Sequence, residues 1–284
     1  MSASQVNPVQ RRIRTLEGLW NTFSGIPEAR ILRWLIEPDE QQMVQLFVEL
    51  QSEEVSEIPD LFLELRSDLH TADDWTIALV AELSEKYAAE RKGLESLGVV
   101  ATWEPPVVPP GGGPEYLVSA CEMFHRLLSV SVAERLVIVL MPSAVLEPRQ
   151  WSAWLRALAG TRIAESLRFM VVDTVQSPQL DEVAGEFPQV LRSVRPELSM
   201  DRAYREILDS VPGNSPGHEF RRYFVALTAA AGRADTTAAG AACERAVRMA
   251  ISQQWLGLAA TAQMANAAAW FAAGRVAEAI EGYR

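Results

Sequence analysis

The sequence predicts an α/β fold, a short parallel sheet flanked by helices, with N-terminal helices before it and an all-α helical-repeat region after it. Three observations predict this. Apolar strand patterns alternate with helical patterns of ten or more residues between about 56 and 200, as βαβ crossovers require. The strongest of those strands, RLVIVLMP at 135–142, is apolar without alternation, as in a parallel sheet covered on both faces. From about 201 no strand pattern remains, and alanine and glycine rise. The implied division is 1–55 for N-terminal helices packed on the α/β domain, 56–200 for that domain, and 201–284 for the repeats.

Within 9–55, Ile13, Leu16, Leu19, Trp20 and Phe23 share one helical face. PEARILRWLI is read as a further helix ending before Pro38. EPDEQQMVQLFVELQSEE comes next, with acids in its first turn, where the helix dipole favours them. Leu61, Leu63 and Leu65 alternate with Phe62 and Glu64, which suits a short strand. DDWTIALVAELSEKYAAERKGLESLG is a helix, capped by Asp73 or Thr71. VVATWEP at 99–105 reads as a strand. Leu117, Ala120, Cys121, Phe124, Leu127 and Leu128 then give a helix one apolar face. EPRQWSAWLRALAG is a helix and LRFMVVDTV at 167–175 a buried strand. PQVLRSVRPEL supplies an edge strand after a short helix.

VPGNSPGHE is a turn-rich linker. Two helical hairpins are expected after it, turning at Gly232 and at Gly274. The second resembles a tetratricopeptide repeat. Ala267 takes the small packing position, Trp270 and Phe271 the aromatic pair, and Gly274 the turn glycine. Ala279, Ile280 and Tyr283 take the second-helix positions. The likeness covers about the last 25 residues, and the turn spacing of 42 exceeds the family's usual ~34. Repeats stabilise one another by stacking, so with the last hairpin stopping at Arg284 further repeats are expected.

Composition narrows the function. A net charge of −11 and only two lysines, Lys86 and Lys92, argue against nucleic acid and against an anionic membrane surface. The arginine-for-lysine, alanine-rich bias reads as a GC-rich bacterial genome. No signal-peptide core and no membrane-length apolar run is present, so a cytoplasmic location is expected. Cys121 and Cys243 cannot make a disulfide framework.

The most suggestive loop is PPGGGPEY, between the 99–105 strand and the 115–128 helix. A phosphate loop needs backbone amides, a lysine and a hydroxyl. Here lysine and hydroxyl are missing, and Glu115 stands at the helix start where an anion would sit. The loop is therefore read as a flexible connection. One strand later, Met141 and Pro142 occupy the place of a metal-binding acid. The layout resembles the nucleotide-binding domains that precede helical repeats in signal-transduction ATPases, with the nucleotide chemistry removed.

Cys121 and His125 are spaced i, i+4, but zinc needs three or four ligands. Asp173 ends its strand, where α/β sheets put functional groups, and is read as a turn acid. His70 and His218 have no partner spacing, and Trp34, Trp103, Trp151 and Trp154 are read as core. No cofactor, metal or catalytic residue is assigned. The reading is a non-enzymatic adaptor or chaperone in a bacterial assembly or secretion system, with a protein partner on the repeats at Arg221, Arg222, Tyr223, Trp255, Trp270 and Tyr283. The alternatives are an NTPase-like regulatory switch with an atypical site, and a hydrolase using Asp173 and carboxylates after the strands. Composition is silent on oligomeric state.

Overall fold

The computed structural model describes residues 7–52, 56–96, 102–128, 133–200, 202–203, 206 and 215–283. The elements run α1 (Pro8–Ser24), β1 (Ile31–Ile36), α2 (Gln41–Gln51), β2 (Leu61–Leu65), α3 (Ala72–Ser96), α4 (Pro114–Leu127), β3 (Leu136–Leu140), α5 (Pro148–Gly160), β4 (Leu167–Thr174), α6 (Asp181–Glu186) and β5 (Leu191–Val194). Four helices close the chain: α7 (Pro216–Gly232), α8 (Thr236–Ser252), α9 (Leu256–Ala272) and α10 (Val276–Tyr283). Two compact units result, one of 13–37 and 43–197, the other of 1–12, 38–42 and 198–284.

The sheet has five strands in the order β2-β3-β4-β1-β5, every pairing parallel. β1 is a strand, not the helix expected from PEARILRWLI. Its six residues lie near the centre of the sheet, and five of them are buried. Such a run carries no alternation, because both faces are covered, and it is too short to show a helical period. The stretch 99–105, read as a strand, differs in the opposite sense over the part that is described. Residues 99–101 lie outside the described residues, and 102–105 belong to no strand. Pro105 and Pro106 deny a ladder its N–H donors. Trp103 instead pins this segment to the helices. Its backbone N–H donates to the Tyr87 hydroxyl at 3.2 Å and its indole N–H to the Ala120 carbonyl at 3.2 Å.

One face of the sheet is covered by α3, α4 and α5. There Trp75 meets Trp151 and Trp154 with ring centroids 5.2 and 4.5 Å apart. The other face carries Trp34 and Phe62 under α1 and α2. Trp20 lies 4.9 Å from Phe62, and Phe47 lies 6.5 Å from Trp34. All four tryptophans read as core, Trp34, Trp103, Trp151 and Trp154, are buried. Thr71 caps α3, accepting from the Asp74 N–H at 3.2 Å. No helix among the described residues is long and apolar enough to cross a membrane.

The C-terminal helices repeat. Helices α7 to α10 begin at 216, 236, 256 and 276, a step of 20 residues per helix and 40 per hairpin. Each junction uses one device. Ala234, Gln254 and Gly274 all have positive φ, of 54°, 60° and 75°. The next residue's N–H reaches back to close each helix: Asp235 to Ala230, Trp255 to Ala250 and Arg275 to Trp270, at 3.0, 2.8 and 2.9 Å. This is the Schellman closure, which satisfies a carbonyl the helix end would leave orphaned. The first hairpin thus turns at Ala234, whereas Gly232 is the last residue of α7. The true spacing of the hairpin turns is 40. Of the linker expected at 211–219, residues 211–214 lie outside the described residues and 216–219 are already helix.

Candidate functional site

In this sheet the connection β1→β2 passes over β4 and β3, and the connection β4→β5 passes over β1. The two leave neighbouring strands in opposite directions. Outside the carboxyl ends of β1 and β4 is therefore the switch point, where open α/β sheets place ligands. The loop weighed above as a phosphate cradle, and read there as a connection, lies elsewhere. PPGGGPEY joins α3 to α4 within the β2→β3 crossover and comes directly after no strand. It forms a closed turn, with the Gly112 N–H on the Pro109 carbonyl at 2.9 Å and Gly111 at φ +74°. The Glu115 carboxylate accepts from the Gly113 N–H at 3.2 Å, so the start of α4 is capped by its own acid.

β1 runs directly into Glu37, Pro38, Asp39, Glu40, Gln41 and Gln42. A phosphate cradle in this place draws on glycine, lysine and a hydroxyl. This segment contains no glycine, no lysine and no hydroxyl, and three of its six residues are acidic.

The interior of the switch point is built from Arg33 and Asp173, both almost fully buried. Asp173 accepts from Arg33 Nε at 2.9 Å and Nη2 at 2.7 Å. It also accepts from the backbone N–H groups of Thr174, Gln179 and Leu180, at 2.9 to 3.1 Å. Arg33 Nη2 reaches Asp181 at 2.7 Å as well, and its Nη1 reaches Ser193 Oγ at 3.3 Å. The buried pair is charge-assisted and saturated with donors. One carboxylate thus ties β1 to β4 and closes the loop that leads into α6. The Val175 N–H donates to the Ile36 carbonyl at 2.9 Å, so the two strands stay joined past their ends.

The outer half of the same edge is closed too. Glu82 of α3 accepts from the N–H groups of Arg66 and Ser67 and from the Ser67 hydroxyl, at 2.7 to 2.9 Å, folding the loop after β2 onto α3. That loop is zipped to the loop after β3 by Leu69 N–H to Ala144 O and Leu146 N–H to Leu69 O. Met141 donates its N–H back to Leu65, and no carboxylate side chain stands there. Asp173 was legible in the sequence as the acid ending a strand. Its counter-ion was not, because Arg33 sits in the segment read as a helix.

Cys121 is fully enclosed in the core, where burial pushes its thiol up beyond any nucleophilic range. No group of three or more His, Cys, Asp or Glu suited to a metal occurs among the described residues. Cys243 is buried as well, its thiol also raised by burial and its Sγ 3.4 Å from the Ala262 carbonyl. Ellman's reagent is expected to find neither thiol in the native protein and both in denaturant. A fast-reacting native thiol would contradict this packing.

The six partner candidates are spread over three helices and a turn. Arg221 and Arg222 are exposed on α7, and Tyr223 beside them is half-buried. Trp255 stands at the start of α9, its ring edge-on to Phe220 at 6.5 Å. Trp270 is half-buried, with the Arg275 guanidinium 4.0 Å above its ring. Arg275 in turn pairs with Glu278 at 2.6 Å and holds that carboxyl below its usual range. Tyr283 is exposed. Sequence reasoning missed the amount of apolar surface here. Of the twelve exposed large apolar side chains among the described residues, eight lie in 251–283. That is a concentration in about an eighth of the chain.

Fold and site together define a parallel α/β protein with helical-hairpin repeats. No protein-family model matches the sequence, and no curated protein matches it. Among solved structures, a chain in the structure of Drosophila ORC bound to AT-rich DNA and Cdc6 is similar with a TM-score of 0.34 and 14% identity, over 79% of this chain and 70% of that one. A likeness that low carries nothing over to this chain.

Proposed function

We propose that this chain is a non-enzymatic protein-interaction protein, an adaptor or chaperone of a bacterial assembly or secretion system, that takes its partner on the helical repeats. The observation that carries the reading is the contrast between the two regions. Polar groups at the carboxyl end of the sheet are turned onto one another, while the last hairpin leaves its large apolar side chains in water. Apolar side chains in water gain by burial against another surface, whereas a saturated carboxylate has nothing left to offer a substrate. Arg221 and Arg222 add a basic rim on α7 that would steer an acidic segment.

Affinity capture from the native source tests this, with Arg221→Glu/Arg222→Glu alongside. A stoichiometric protein is expected with the natural sequence and lost or much reduced with the variant. Recovery of the chain alone, or capture indifferent to the variant, would count against the reading. The NTPase-like and hydrolase alternatives both require the carboxyl end of the sheet. A nucleotide at a hundredfold excess over its Kd would stabilise the fold by about 2.7 kcal/mol, roughly 5–10 °C in Tm for a chain of this size. With ATP or GTP and magnesium, no shift is expected. A shift of that size would restore the switch reading.

A further inference from the structure

We propose that the amino end of the sheet binds a small phosphate group through Arg30, Arg135 and Arg168. Strand register brings the three together. Ile31 of β1 is level with Phe169 of β4, and Val137 of β3 is level with Arg168. One residue earlier Arg30 comes level with Arg168, and the Phe169 N–H on the Arg30 carbonyl at 2.8 Å carries the ladder that far. Arg135 stands two residues before Val137. Side chains two apart on a strand share a face, and so do residues level on neighbouring strands. The three arginines therefore leave one face of the sheet from three adjacent strands, in the order β3, β4, β1.

Their donors are only partly engaged. Arg168 is 3% exposed, and its Nε is buried without a hydrogen-bond partner. Its Nη1 donates to the Glu165 and Leu167 carbonyls at 2.6 and 3.0 Å. Arg30 donates from Nε to the Ile163 carbonyl at 3.1 Å, and from Nη1 to the Pro27 and Ala29 carbonyls. Among the described residues neither arginine has a carboxylate within ion-pair distance, and Nη2 of both has no partner. Asp60, the buried carboxylate beside them, is already engaged. It accepts from the Trp20 indole at 2.9 Å and from Arg135 at 3.2 Å. Glu134 and Glu165 point into water, with Arg135 at 3.7 Å from Glu134.

A buried cation is costly unless an anion and acceptors meet it. At the carboxyl end of the same sheet Arg33 has both in Asp173. At the amino end Arg168 has carbonyls but no anion of its own. Burial, and after it the charges of Arg30 and Arg135, lower its pKa to about 10. An oxyanion supplies what is missing, charge and acceptor oxygens together. Guanidinium forks suit phosphate because each can give two parallel N–H bonds, and a compact dianion has oxygens enough for three forks. Arg30 and Arg135 are half-buried, so the ion enters from solvent between them and meets Arg168 behind.

Calorimetry of the 284-residue chain tests this, with inorganic phosphate against chloride at equal ionic strength and without nucleotide or magnesium. Phosphate at about ten times its Kd is expected to raise Tm by roughly 3–6 °C. Arg168→Met and, separately, Arg30→Gln are expected to remove most of that increment. Each variant is compared with its own Tm in chloride, so one that is merely less stable still reports. If Arg168→Met does not fold, Arg30→Gln decides. No saturable increment over chloride, or an increment that the folded variants keep, overturns the proposal and leaves the arginines as ties for strand-end carbonyls. Glycerol phosphate in place of phosphate separates the two sources. An equal increment assigns a phosphate monoester and none assigns the free ion, and either upholds the site. All three arginines belong to the unit that contains the sheet, so the capture experiment with Arg221 and Arg222 is judged separately.

Discussion

Asp173→Ala is expected to be the most damaging single change in the chain, lowering stability by about 3–5 kcal/mol. The substitution strands the Arg33 guanidinium, 1% exposed, with Asp181 as its remaining carboxylate. The side chain of Asp181 is 63% exposed, so its attraction is screened by water. The N–H groups of Gln179 and Leu180 lose their acceptor at the same time. A domain of ordinary stability, about 5–15 kcal/mol in all, would lose a large fraction of it. Urea unfolding measures the change directly. Arg33→Met in the Asp173→Ala background should recover part of the loss, because it removes the stranded cation, and this non-additivity is the signature of a buried pair. A cost below about 1 kcal/mol for Asp173→Ala would mean that the pair does not hold the sheet.

The second large effect is expected at Trp75. Its ring is packed edge-on against both Trp151 and Trp154, and its indole N–H donates to the Ser67 carbonyl at 2.8 Å. Trp75→Ala opens a cavity between α3 and α5 and removes the bond that fixes the loop after β2. Truncating a buried tryptophan costs about 3–5 kcal/mol, or roughly 10 °C in Tm at this chain length. Trp75→Phe keeps most of the packing and loses the hydrogen bond, so its cost should fall near 1–2 kcal/mol. Calorimetry of the two variants separates packing from hydrogen bonding. Equal losses would show that the bond to Ser67, and not the ring volume, dominates.

Much of this architecture could be read from the amino-acid order. The strands at 136–140 and 167–174 announce themselves by apolar runs, that at 61–65 by its alternation, and the long helices by their period. β1 did not, because a charged residue in the middle of ILRWLI looks like the polar face of a helix until its counter-ion, 140 positions away, is known. The prolines at 27 and 38 and the isoleucines at both ends were the available signal. Residues 102–105, read as part of a strand, belong to none for the reverse reason. Trp103 is real core, but Pro105 and Pro106 deny a ladder its donors. The turn expected at Gly232 shifted to Ala234 because the backbone closure tolerates a non-glycine residue there, at a cost of about 1–2 kcal/mol.

Arg33 has one more consequence, for the order in which the protein is made. β1 pairs only with β4 and β5, which leave the ribosome more than a hundred residues later. Until then ILRWLI is an apolar, β-prone six-residue segment with both edges open, the kind that seeds aggregation. Its single charge acts as a gatekeeper during that wait. When Asp173 arrives, the residue that kept the nascent strand apart from other chains becomes the one that fastens it into its own sheet.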